Sequence, residues 1–95
     1  MPLFVITWKD KPDSLALRMA VREAHLAHVA AHPGVVRLAG PHLDPEGGMI
    51  GSLMILEAPD IAAVQAFHAA DPYVLAGLVA GAEIGGWRPT VGAIA

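Results

Sequence analysis

Short continuous apolar runs alternate along this chain with longer stretches of helical periodicity, and turn-forming residues separate them. Pro2 to Trp8 (PLFVITW) is apolar, β-branched and aromatic at both sets of alternating positions. It is too brief for a helix and predicts a central strand covered on both faces. Lys9 to Asp13 (KDKPD) is a polar turn in which Pro12 blocks an upstream helix and Asp13 is placed to accept from the first free amides of the next one. That first helix is expected from near Ser14 to about His32, where Pro33-Gly34 stops it, with Leu15, Met19, Leu26 and Val29 as its core stripe. Val35 to His42 predicts a strand whose ladder Gly40-Pro41 interrupts, which suits an edge.

Leu43 to Gly48 is dense in turn formers, and Met49 to Glu57 predicts a strand that is apolar on both sides. Asp60 opens a second helix carrying Ile61, Val64 and Phe67 on one face and ending near Ala70. Asp71-Pro72 starts a short helical turn, with Asp71 at the cap and Gly77 as the stop. The last strand is expected from Val79 to about Val91, loosened by Gly85-Gly86. The order β, α, β, β, α, β, with a short extra helix before the last strand, is the α+β ferredoxin-like arrangement. It places both long helices on one face of a four-stranded antiparallel sheet. Strands one and three are nevertheless apolar on both faces, and leaving the second face wet would cost on the order of 25 cal/mol per Å². A symmetric homodimer with stacked sheets, open to further assembly, is therefore expected.

Composition narrows the picture further. Ninety-five residues make one domain, expected over 1–95, and 55% hydrophobic against 16% charged residues is the opposite of a disordered composition. The absence of cysteine removes disulfides, thiol nucleophiles, iron–sulfur clusters and cysteine-based zinc sites. Six basic residues, scattered among nine acidic ones, give a net charge of −3 and argue against nucleic acid as a partner. No apolar run approaches the ~20 residues that span a bilayer and no signal segment is visible, so no membrane partner and a cytoplasmic location are expected. No serine elbow, phosphate-binding glycine loop or zincin helix occurs, and no cofactor is expected.

Histidine carries the candidate chemistry. Of five histidines, His25, His28 and His32 occupy the first helix. His25 and His32 fall nearly one above the other in line with Arg18, while Arg22 sits one turn before His25, so Arg18, Arg22 and His25 can hold an anion. A solvated helix face is the plainer reading for His28 and His32. The spacing H-x-x-H-x-x-x-H also leaves a metal site open, although three ligands from one helix converge poorly. Asp71 reads as a capping aspartate, and capping is compatible with orienting an imidazole for acid–base work. Ser52 can contribute a hydrogen bond from the third strand, and Tyr73 and Trp87 read as wall or packing groups.

The segments LALRMAVREAHLAHVAAHPG, RLAGPHLD, GSLMILEAPD and FHAADPYVLAGL, closing with Trp87-Arg88, together resemble the YciI-like (YCII-related) proteins over nearly the whole chain. The resemblance implies a ferredoxin-like fold that dimerises as a dimeric α/β barrel with stacked antiparallel sheets. It also implies a catalytic pair formed by His25, within R-E-A-H-L, and Asp71, within D-P-Y, with Arg18, Arg22 and Ser52 as pocket residues. Related branches act as lyases on hydroxylated aromatic rings. The expectation is a small dimeric enzyme in which His25 and Asp71 perform acid–base chemistry, lyase-like in type, on a small anionic or phenolic molecule. Its substrate-binding residues are Arg18, Arg22, Ser52 and Tyr73. A non-catalytic metabolite-binding or accessory dimerisation module is the alternative, and a cofactor-free or haem-using oxygenase is a third.

Overall fold

Residues 1–93 are described by a computed structural model, in which the apolar runs form four strands and the periodic stretches form three helices. In chain order these are β1 (Leu3–Asp10), α1 (Leu15–Ala30), β2 (Val36–Leu43), β3 (Met49–Glu57), α2 (Ile61–Ala69), α3 (Pro72–Leu75) and β4 (Val79–Trp87). The strands form one antiparallel sheet in the order β2-β3-β1-β4, so the two runs that are apolar on both sides, β1 and β3, lie at its centre. This is the ferredoxin-like α+β arrangement, with α3 as the short extra helix.

Register explains how one face becomes the core. Phe4 pairs with Leu56, Ile6 with Met54 and Trp8 with Ser52, which points all six side chains to the helix side. There Phe4, Ile6, Trp8, Met54 and Leu56 pack with Val64 and Phe67 of α2, Tyr73 of α3 and Leu78. The intervening positions, among them Val5, Leu53, Leu38 and Trp87, point to the other face, where Leu38 is 58% exposed. Asp60 caps α2 by accepting from the Ala63 amide, and Asp71 caps α3 with Pro72 at its first position.

Several sequence expectations are corrected. The stripe Leu15, Met19 and Leu26 is exposed, at 49, 51 and 47% respectively, while the residues that α1 buries are Arg18 and His25. Polar partners waiting inside the fold turn the helix onto its charged face. Asp13 does not cap α1: Ser14 occupies that position, its hydroxyl donates to the Pro12 carbonyl, and Asp13 takes a left-handed conformation, φ 55°, in the turn before it. Gly40-Pro41 does not interrupt β2, since Gly40 pairs with Leu53 and Pro41 with Ser52; the irregularities fall between Val36 and Leu38 and between His42 and Leu43. An edge strand tolerates the missing proline amide because it can point away from the ladder. β4 ends at Trp87, short of Val91, and stays paired through Gly85 and Gly86; Pro89 lies just beyond.

Gly51 marks a close approach between strands. A methyl group there would collide with the Trp8 carbonyl oxygen and come within 3.1 Å of the His42 ring. Gly51→Ala is expected to destabilise the fold by about 1–3 kcal/mol, the range for forcing atoms into a filled site, as read by urea denaturation; unchanged stability would contradict this packing.

Candidate active site

Four elements converge on one hollow of about 200 Å³, lined by Arg18, Arg22, His25 and Leu26 of α1, Ala39 to Pro41 of β2, Met49, Ser52 and Met54 of β3, and Tyr73 of α3. Larger hollows lie elsewhere, but this one gathers the groups able to move protons or hold charge. Arg18 and His25 are seven residues apart, two helical turns, so both project from the same side of α1. They are 3% and 9% exposed.

Asp71 explains the burial of His25. Its carboxylate is fully buried, and both oxygens lie 2.9 Å from Nδ1 of His25. A carboxylate only accepts, so Nδ1 carries the proton and donates it, which leaves Nε2 as the acceptor nitrogen of the neutral ring. Oδ1 of Asp71 also accepts from the Tyr73 amide at 2.9 Å, so the cap that starts α3 fixes the carboxylate that fixes the imidazole. The Tyr73 ring stacks on His25 with centroids 4.2 Å apart. Burial pushes the Tyr73 phenol above its ordinary value, against the pull of Arg18 and Arg22, and it stays protonated at neutral pH.

Arg18 is held by Asp10, a residue that the sequence reading left inside a polar turn. Nε of Arg18 donates to one Asp10 oxygen at 2.7 Å and Nη2 to the other at 3.0 Å. Nη2 also reaches the Gly51 carbonyl and the Ser52 hydroxyl oxygen, both at 2.8 Å, and Trp8 Nε1 donates to Asp10 at 3.0 Å. Burial works against the Arg18 charge, but the bonds to Asp10 more than offset it and raise its pKa above the ordinary arginine value. Alternation along β1 carries the signal for Asp10: Phe4, Ile6 and Trp8 face inward, and the next position of that set is Asp10. Arg22 makes no ion pair among the described residues, so it brings an uncompensated positive charge to the rim of the hollow.

α1 ends at Ala30, so of the other two histidines expected on it only His28 is helical and His32 lies just beyond; both sit apart from this site. His28 stacks on Phe67 and donates from Nε2 to the Phe67 carbonyl, while His32 lies edge-on to the same ring and donates from Nδ1 to the His28 carbonyl. His28 thereby ties α1 to α2 instead of belonging to a solvated face, whereas His32 is exposed as expected. With His25 turned to Asp71, the three rings do not converge, and no group of three acidic or histidine ligands able to hold a metal occurs among the described residues. Trp87 is part of the second sheet face, remote from the hollow.

Comparison with known proteins agrees with this architecture. Residues 2–88 match the YCII-related domain. The chain is 43% identical over 84 residues to Protein YciI of Escherichia coli O6:H1, covering 80% of this chain and 86% of that protein. Among solved structures it is similar to the 5-chloro-2-hydroxyhydroquinone dehydrochlorinase TftG from Burkholderia phenoliruptrix, in complex with 2,5-dihydroxybenzoquinone. The TM-score is 0.85 at 34% identity, with 90% of this chain and 93% of the other covered. An antibiotic biosynthesis monooxygenase structure matches at TM-score 0.59 and 12% identity, over 96% of this chain and all of its own, and shares the fold alone. No helix of the described residues is long and apolar enough to cross a membrane.

His68, in the last turn of α2, packs its ring 5.4 Å from Trp8 and buries Nδ1 without a hydrogen-bond partner. Burial lowers its pKa below the ordinary imidazole value, with nearby Asp71 opposing only in part. The unfolded chain takes up a proton at this position before the folded one does, so the stability it contributes is present above about pH 6.5 and is lost as pH falls from there through the lower folded pKa. His68→Phe is expected to reduce the loss of stability between pH 7.5 and 5.5 in urea denaturation; an unchanged loss would contradict the assignment.

Proposed function

The chain belongs to the YCII-related family, and we propose that it is a small enzyme of one domain in which His25 and Asp71 carry out acid–base chemistry on a small hydroxylated, anionic or phenolic ring. The observation that carries this reading is the bond of His25 Nδ1 to both oxygens of a fully buried carboxylate, which leaves Nε2 as a base on a ring that lines the hollow with Arg22 and Ser52. Asp71 would hold the imidazole in one tautomer and stabilise its charged form after proton uptake. Arg22 would hold the oxyanion formed on the ring, since the Arg18 charge is already matched by Asp10. Tyr73, buried and stacked on His25, would hold the imidazole flat from behind while closing one side of the hollow.

The dehydrochlorinase that this chain resembles is described with a hydroxylated quinone bound, which supports a ring substrate and a lyase-type elimination. In such a step the ring would ketonise, the carbon bearing the leaving group taking the proton of one hydroxyl; Nε2 would then take the proton of a second hydroxyl, whose O–H electrons form a carbonyl as the leaving group departs as an anion with its bonding electrons. His25→Ala is expected to lower kcat about 10²–10⁴-fold on a hydroxylated aromatic substrate that the wild type converts, with the fold intact by circular dichroism. Binding of such a ring without conversion by the wild type would favour the metabolite-binding module instead.

We propose in addition that two copies stack through the second sheet face. Val5, Leu53, Leu38 and Trp87 make that face apolar, and it carries a hollow of about 750 Å³ beside Thr7, His42 and Glu83. Val5→Lys is expected to halve the sedimenting mass; an unchanged mass would count against this interface.

A further inference from the structure

Ser52 is the one short hydroxyl side chain at the hollow, and its hydrogen-bonding direction is fixed from behind. Its oxygen lies 2.8 Å from Arg18 Nη2. A guanidinium can only donate, so the serine oxygen accepts there and its hydroxyl hydrogen must point elsewhere. Ser52 is 6% exposed, its side chain is on the helix side of the sheet opposite Trp8, and it lines the hollow together with His25 and Arg22. Arg18 in turn has little freedom to move. Asp10 accepts from Nε and Nη2, the two hydrogens of Nη2 are shared among Asp10, the Gly51 carbonyl and Ser52, and the Tyr73 ring lies 4.8 Å from its central carbon.

We propose that Asp10 is a positioning residue that acts through Arg18 on Ser52, turning the Ser52 hydroxyl into a fixed hydrogen-bond donor toward an oxygen of the bound molecule. The inference rests on the reading that the hollow binds a hydroxylated ring, and it adds a requirement to that ligand. A donor at Ser52 and an acceptor at His25 Nε2 line the same space, so the matching molecule offers an acceptor oxygen, carbonyl or oxyanion, together with a hydroxyl that can donate. A carboxylate alone has no proton to give Nε2, and an unsubstituted ring meets neither group. Asp10 itself is not among the residues lining the hollow, so its effect on binding passes through the guanidinium.

The test is a double-mutant cycle on the binding of 2,5-dihydroxybenzoquinone, measured by calorimetry with Asp10→Asn, Ser52→Ala and the combined variant. Each single change is expected to weaken binding about tenfold, the worth of one hydrogen bond involving a charged group, and the combined variant to bind no more weakly than Ser52→Ala alone. Losses that multiply to about a hundredfold, or wild-type binding in Asp10→Asn, would overturn the proposal. Asp10→Asn leaves a buried guanidinium without its counter-charge and is prone to misfold, so Arg18→Lys is measured beside it. Lysine keeps the charge but cannot span Asp10 and Ser52 together; it is expected to reproduce the tenfold loss without compounding that of Ser52→Ala, and intact binding would count against the chain of contacts. Failure of the wild type to bind the quinone would count against the ligand class under the proposed function. The positioning is then judged from the Arg18 Nε–H proton resonance: a signal protected from water and unmoved by Ser52→Ala supports it, and rapid exchange with water overturns it.

Discussion

Two buried carboxylates decide how the first helix lies on the sheet. Asp10 at the end of β1 and Asp71 at the start of α3 face inward, and each needs a counterpart because an unpaired buried charge is costly. Arg18 and His25, two turns apart on α1, are those counterparts. Matching both fixes the rotation of the helix about its axis, and the price is an outward apolar stripe of Leu15, Met19 and Leu26. The ordinary rule that a helix buries its leucines therefore yields here to a pair of polar contacts. Deleting one partner from the tightly buried Arg18–Asp10 pair would leave the other stranded, a situation typically costing about 3–5 kcal/mol.

The same constraint builds the site. Because Arg18 is spent on Asp10, the guanidinium serves as a rigid wall and leaves the unmatched charge at the hollow to Arg22. Because Asp71 takes Nδ1 of His25, Nε2 is the nitrogen left free on a ring that lines the hollow between α1, β2 and β3. Structural and chemical duties coincide at Asp71, which caps α3 and sets the His25 tautomer through the same carboxylate.

Much of the fold was legible in the chain, for local reasons. β3 begins and ends where it was expected, since Gly47-Gly48 and Ala58-Pro59 bracket a run that is largely apolar on both sides. Asp-Pro and a later glycine likewise mark α3. The pairing of His25 with Asp71 matches the residues singled out from the family motifs, but no spacing rule connects positions 46 residues apart. Asp10 was missed because it stands among lysines and a proline and looks like turn polarity, although strand alternation through Trp8 pointed inward. The buried face of α1 was misread because hydrophobic periodicity records where leucines recur, not which side carries the counter-charges to groups elsewhere in the chain. His28 escaped for the same reason: its partner, Phe67, lies on another helix.

The orientation of one imidazole is the most exposed part of this account, and long-range ¹H–¹⁵N correlation spectroscopy on ¹⁵N-histidine-labelled protein reads it directly. At a pH where the ring is neutral, His25 should carry its proton on Nδ1 and show a bare Nε2. A ring protonated at Nε2 with Nδ1 bare would mean that Asp71 does not hold it, and the proposed base would be lost with the contact.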